Sequence, residues 1–167
     1  MLTWLALGSL PTHAQTSVDK HQPNDLTDLL GMPGKCEEIV LYGKSSKKQC
    51  QSLFNTVYKD GRSGFYFIAD DMILTFSGDG DQQVRQGPDK STQAIDLVLM
   101  NKPDKGPPER PDKMTAIGEC SFENPFLGKP SIVKCSAKTE KGIFAGIFYH
   151  DGSEPYVLIK GGKPTQP

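Results

Sequence analysis

Four cysteines constrain this chain more than any other feature: Cys36 and Cys50 form one local pair and Cys120 and Cys135 a second, at nearly equal spacing. Disulfides persist outside the cytosol, where thiols are not held reduced. Four cysteines allow three connectivities. The local one, Cys36 to Cys50 and Cys120 to Cys135, closes two short loops, each contributing on the order of 3 kcal/mol in the chain-entropy model. Zinc does not fit, because there is no C-x-x-C and no histidine clusters with the cysteines.

The N-terminus points to export as well. Met1 to Leu10 is an uncharged apolar run followed by Pro11, Thr12, His13 and Ala14, so Thr12 and Ala14 stand where small residues precede a signal-peptidase cut before Gln15. The run lacks the Lys or Arg that opens such leaders, the first Lys being Lys20. It is shorter than the roughly 20 apolar residues of a membrane-spanning helix, so no transmembrane segment is expected. These features predict a leader over 1–14, a tether and short helix over 15–34, one β-rich domain over 35–160 and a tail over 161–167, in the periplasm or secreted. A formal net charge of −1 with both signs interspersed excludes nucleic acid as a partner.

Period-two patterning dominates the rest of the chain. Asn24 is placed to cap a helix through Leu26, Leu29 and Leu30, ending at Gly31 and Pro33. Glu38 to Tyr42, Leu53 to Tyr58, Phe65 to Ala69, Ile73 to Phe76 and Ile95 to Met100 read as strands, with Asp60-Gly61 as a hairpin signal between the second and third. Lys102 to Lys113 carries four prolines and reads as an extended connection. If Cys120 faces Cys135, the antiparallel register places Phe122 opposite Val133 and Gly118 opposite Ala137. Ile143 to Tyr149 and Tyr156 to Ile159 complete an all-β fold: one antiparallel sandwich or small barrel with a short N-terminal helix and two local disulfides.

The catalytic inventory is thin. His150 is the only histidine of the predicted domain, it stands beside Asp151 without a G-x-S-x-G element, and it reads as an exposed turn residue. Asp70-Asp71 and Asp79-Gly80-Asp81 bracket one strand, too far apart for a glycosidase pair. Asp79 and Asp81 have the alternation of a calcium loop without its distal Glu, which makes them the candidate metal ligands. Tyr66, on the face opposite Phe65 and Phe67, is a candidate ligand-facing residue in a barrel mouth, together with Tyr149 and His150. Phe144, Ile147 and Phe148 occupy both faces of one strand.

The stretch Asp60 to Phe67, then Ile73 to Gly78, then Gly118-Glu119-Cys120, Asn124-Pro125-Phe126 and Lys134 to Ala137 resembles small exported proteins of α-proteobacteria that carry no assigned function. The resemblance implies a periplasmic or secreted location and transfers no functional residue. The expected function is therefore a monomeric, non-enzymatic binding or interaction module without cofactor, whose partner is a protein or a small ligand. One alternative is an inhibitor of a hydrolase acting through the disulfide-held loop Ser121 to Lys134. Another is a metal-assisted enzyme using Asp70, Asp71, Asp79 or Asp81.

Overall fold

The computed structural model describes residues 25–102 and 111–165. Its strands are β1 (Leu26–Leu41), β2 (Lys44–Ser46), β3 (Cys50–Tyr58), β4 (Arg62–Ala69), β5 (Met72–Asp79), β6 (Val84–Arg85), β7 (Lys90–Asn101), β8 (Asp112–Glu123), β9 (Ser131–Thr139), β10 (Gly142–His150), β11 (Tyr156–Lys160) and β12 (Lys163–Pro164). Eight of them, β1, β3, β4, β5, β7, β8, β9 and β10, pair antiparallel in that order, and β10 returns to β1. The sheet is thus closed into an up-and-down barrel, which leaves the main strands no free edge.

Closure depends on β1. One side of β1 pairs with β3 from Leu26 to Pro33 and with β2 from Ile39 to Leu41. The other pairs with β11 at Leu29 to Gly31 and with β10 from Gly34 to Val40. Pro33 falls where the partner changes from β11 to β10, a place where a missing N–H costs no ladder bond. The expected helix at Leu26 to Leu30 is therefore a strand. Its leucines fit an i, i+3, i+4 spacing, but Leu30 and Met32 also fit an inward alternation, and pairing on both sides of β1 settles the matter in favour of the strand. Residues 26–34, expected as tether and helix, are the first half of β1; Asn24 lies outside the described residues.

Alternation fills the barrel interior. Phe67, Leu74, Phe76, Val98, Met114, Phe144 and Phe148 point inward with almost no exposure, and each such side chain contributes roughly 1.5–3 kcal/mol by leaving water. Phe67 and Phe76 meet edge-on with ring centroids 5.7 Å apart. Gly146 faces the Phe67 ring so closely that a Cβ there would lie 2.6 Å from it. Ile147 points outward, so β10 buries one face and not both.

At one end, here termed the plugged end, the β1–β2 turn places Tyr42 over the mouth. Its backbone is left-handed, with φ 55°, a conformation that costs a non-glycine residue about 1–2 kcal/mol. The ring packs edge-on against Phe144 at 4.9 Å, and its hydroxyl approaches the Met100 sulfur at 3.9 Å.

Both disulfides form as the spacing predicts. Cys36–Cys50 joins β1 to the start of β3, in the gap where that side of β1 has neither β3 nor β2 as ladder partner. Cys120 and Cys135 are directly opposed in the β8–β9 ladder, with Phe122 opposite Val133 and Gly118 opposite Ala137. Among the described residues no helix is long and apolar enough to cross a membrane.

Candidate functional site

The end opposite the plug, the loop end, has a polar interior. Gln93 is fully buried; its amide donates to the Ser63 carbonyl at 3.4 Å, and its oxygen accepts from Gln83 at 3.0 Å. Asn55 donates to the Gly64 carbonyl at 3.0 Å, and Ser131 is buried at the start of β9. His150 closes the row. It has 0 % exposure, against the expectation of an exposed turn histidine, because the last residue of β10 continues the inward alternation of Phe144, Gly146 and Phe148. The Pro33 carbonyl, 2.8 Å from Nδ1, can only accept, so Nδ1 carries the proton and donates. Nε2 is enclosed with no hydrogen-bond partner among the described residues. Asp151 follows outside; the Ser153 hydroxyl and N–H hold its carboxyl below the usual range.

Over this polar interior stands the β8–β9 loop, residues 124–130, whose local sequence dictates its shape. Asn124 caps a short 3-10 turn, Pro125–Leu127, by accepting the Phe126 N–H at 3.0 Å, and Gly128 reverses the chain in the left-handed conformation at φ 63°. The loop is fixed from three directions. The Asn124 N–H donates to the Asp89 carbonyl at 2.8 Å, and Lys129 pairs with the Asp89 carboxylate at 3.2 Å. Glu123 accepts the Ile132 N–H at 3.2 Å, and Gly152 packs against Lys129 and Pro130 so tightly that a Cβ would lie 2.8 Å from the backbone. Below it Cys120–Cys135 ties the two supporting strands.

This loop turns its apolar side chains outward: Phe126 is 57 % exposed and Leu127 42 %. Beside them lies a cleft of about 260 Å³ lined by Arg85, Pro88, Phe122, Glu123, Pro125 and Phe126. Phe122 lines it from the barrel side, where its ring packs at a tilt against Phe65 with centroids 5.1 Å apart. Rigid backbone, exposed aromatic and adjoining cleft together make a surface suited to binding another protein.

The residues predicted as ligand-facing do not converge. Tyr66 is on the outer wall and not in the mouth: its ring lies over Gly64 and its hydroxyl is 3.1 Å from that of Tyr58. Burial, and then the hydrogen bond to Tyr58, push its pKa well above the ordinary tyrosine value. Tyr149 also faces outward, opposite Lys35 in the ladder, where a hydrogen bond to the Glu37 carboxylate pushes its pKa up. His150 alone of the three lies inside.

The candidate metal ligands have turn-forming partners. Asp79 accepts the Asp81 N–H at 3.0 Å and the Gln82 amide at 2.7 Å, capping the 3-10 turn Gly80–Gln82 that bridges β5 and β6. The Asp81 carboxylate lies against Gly61, whose φ of 82° lets the chain pass under it without a side chain. Among the described residues no three His, Cys, Asp or Glu side chains gather into a metal site. Asp70-Asp71 form the β4–β5 turn at the plugged end, where the Lys48 ammonium bonds Asp71 and holds its carboxyl below the usual range. The two acidic pairs therefore stand at opposite ends of β5.

The loop falls within the Ser121 to Lys134 stretch expected to present a binding surface, but that expectation does not single out Phe126 and Leu127. The signal in the sequence is two bulky apolar residues between Asn-Pro and Gly, where a loop calls only for turn residues. The chain matches no protein family, no curated protein and no solved structure among those it was compared with.

Proposed function

We infer that the protein is a non-enzymatic binding module, exported from the cytosol, that engages a partner protein through the Asn124–Pro130 loop. The observation that carries this reading is the exposure of Phe126 and Leu127 on a backbone held by a cap, an ion pair and a glycine contact. Aromatic side chains presented rigidly are the usual anchors of protein interfaces, because little ordering entropy remains to be lost on binding. Export is supported by two closed disulfides, which persist in oxidising compartments.

A narrower reading makes the partner a hydrolase whose active-site cleft receives the loop. The exposure of Phe126 and Leu127 beside the cleft favours it. A photoreactive residue placed at Leu127 and, as a control, at Glu119 on the wall tests both readings. A partner captured from Leu127 and lost in Phe126→Asp is expected, and a hydrolase so captured should be inhibited by the parent and at least about tenfold less by Phe126→Ala. Equal capture from both positions, or capture indifferent to Phe126→Asp, refutes the assignment of this loop.

A further inference from the structure

The plugged end of the barrel differs from the loop end in charge. The stretches that build it, 42–48, 69–72, 101–102, 111–113 and 138–142, contain seven lysines and four carboxylates. The loop end, built from 25–28, 59–62, 79–90, 123–130, 151–155 and 160–163, contains nine carboxylates and seven cations. The barrel is electrically polarised along its axis, with the plugged end basic.

Bulky apolar side chains stand exposed in one row that runs from the middle of β8 toward that basic end. Ile117 on β8 faces Lys138 on β9, and Lys138 faces Ile143 on β10. The Ile143 carbonyl accepts the Gly43 N–H at 2.7 Å, which brings Tyr42 to the end of the same row. Ile117 is 85 % exposed, and Ile143 and Tyr42 are exposed as well. The other outward residues of β8, Lys113, Thr115, Glu119 and Ser121, are polar, so an exposed isoleucine breaks the pattern of its own strand.

We propose that this rim docks on the surface of an anionic lipid bilayer. Ile117, Ile143 and the exposed face of Tyr42 enter the headgroup boundary, while Lys138 reaches lipid phosphates on its long apolar stem and Lys44 and the Asp112-paired Lys141 add to the basic field of that end. A polyanion such as a nucleic acid would use the lysines and gain nothing from an isoleucine this exposed. Net positive charge around exposed apolar side chains matches the anionic, apolar-cored surface of a bilayer, and a protein partner is the outcome that the crosslinking arm below detects. Glu119, two residues on from Ile117 on the same face of β8, and Lys134 on β9 bound the apolar row on the side toward the loop end. Docked in this way, the molecule points the Phe126–Leu127 loop away from the membrane.

Flotation of the whole chain with vesicles of phosphatidylcholine, alone or mixed in equal parts with phosphatidylglycerol, tests the proposal. Binding to the mixed vesicles is expected to exceed binding to the neutral ones by about tenfold and to weaken as salt rises. Ile117→Ser with Ile143→Ser, and separately Lys44→Glu with Lys138→Glu, should each remove most of that excess, while Val84→Ser, at an exposed apolar position of the loop end, should leave it unchanged. Circular dichroism checks that each variant is folded, and the single variant Ile117→Ser, at a fully solvated position, gives a graded loss if the double variant is not. The proposal is overturned if the parent does not float, or if the rim variants float like the parent, in which case another surface such as the Met1–Leu10 run carries the binding. It is equally overturned if a photoreactive residue at Ile117 captures a protein in lipid-free extract and no lipid when vesicles are added.

Discussion

Removing each disulfide separately should cost different amounts even though their loops are almost the same size. The sequence separations are 14 residues for Cys36–Cys50 and 15 for Cys120–Cys135, so chain entropy assigns each about 3 kcal/mol. The difference lies in packing. Cys120 and Cys135 are both buried, at 0 and 3 % exposure, facing the barrel interior, whereas Cys36 is half-buried and only Cys50 is enclosed. Each buried sulfur deleted forfeits about 0.8 kcal/mol, the value of one buried methylene. Cys36→Ala with Cys50→Ala should therefore lose about 4 kcal/mol, and Cys120→Ala with Cys135→Ala about 5 kcal/mol, near the top of the range for native disulfides. Urea unfolding followed by far-ultraviolet circular dichroism, with equal slopes in all three proteins, gives both values. A loss under about 1 kcal/mol for either pair contradicts the entropic account, and a greater loss for Cys36–Cys50 contradicts the assignment of Cys120 and Cys135 to the interior.

Gly146→Val should destabilise the barrel by at least about 1–3 kcal/mol, because the first added carbon already meets the Phe67 ring at 2.6 Å; a melting temperature equal to the parent's would contradict that contact. Tyr66 gives a pH signature. Its pKa is raised on folding by burial and by Tyr58, so its contribution is fully present below the unfolded value near 10 and declines above it, by up to about 1.4 kcal/mol per pH unit. Thermal unfolding between neutral and strongly alkaline pH should show this decline, and Tyr66→Phe should flatten it; an unchanged slope in the variant would refute the attribution. Phe126→Asp with Leu127→Asp should leave the unfolding midpoint unchanged within about 0.5 kcal/mol, since both side chains are solvated; a larger loss would mean that the loop packs inward.

The β8–β9 region is the most legible in the sequence. Once Cys120 is set opposite Cys135, period two leaves no freedom in the register, and Phe122 opposite Val133 is its consequence. The Leu26 to Leu30 segment misleads because its leucines satisfy helical and strand spacing together. Only pairing on both sides of β1, a tertiary fact, separates the two. Tyr66 shows a different limit. Alternation places it opposite Phe65 and Phe67, but in a closed barrel the face opposite the core is the outside wall and not a second interior. The polar interior of the loop end is hidden for the converse reason: Ser63, Gln93 and Ser131 are residue types that ordinarily mark the solvent face, and here they are turned inward, where Gln93 bonds the Ser63 carbonyl and the Gln83 amide.

The pairing of Gly34 with His150 has a consequence for the order in which the molecule can be made. The bond from His150 to the Pro33 carbonyl joins residues separated by 117 positions, so the ring of strands cannot shut while the polypeptide is still emerging. Every shorter product is an unsealed ribbon with β1 unpaired along one margin, the kind of margin that recruits strands from other chains. A chain truncated before Gly142 should therefore aggregate rather than remain as a smaller folded unit, and any chaperone that accompanies this protein has to shield β1 until the last strand arrives.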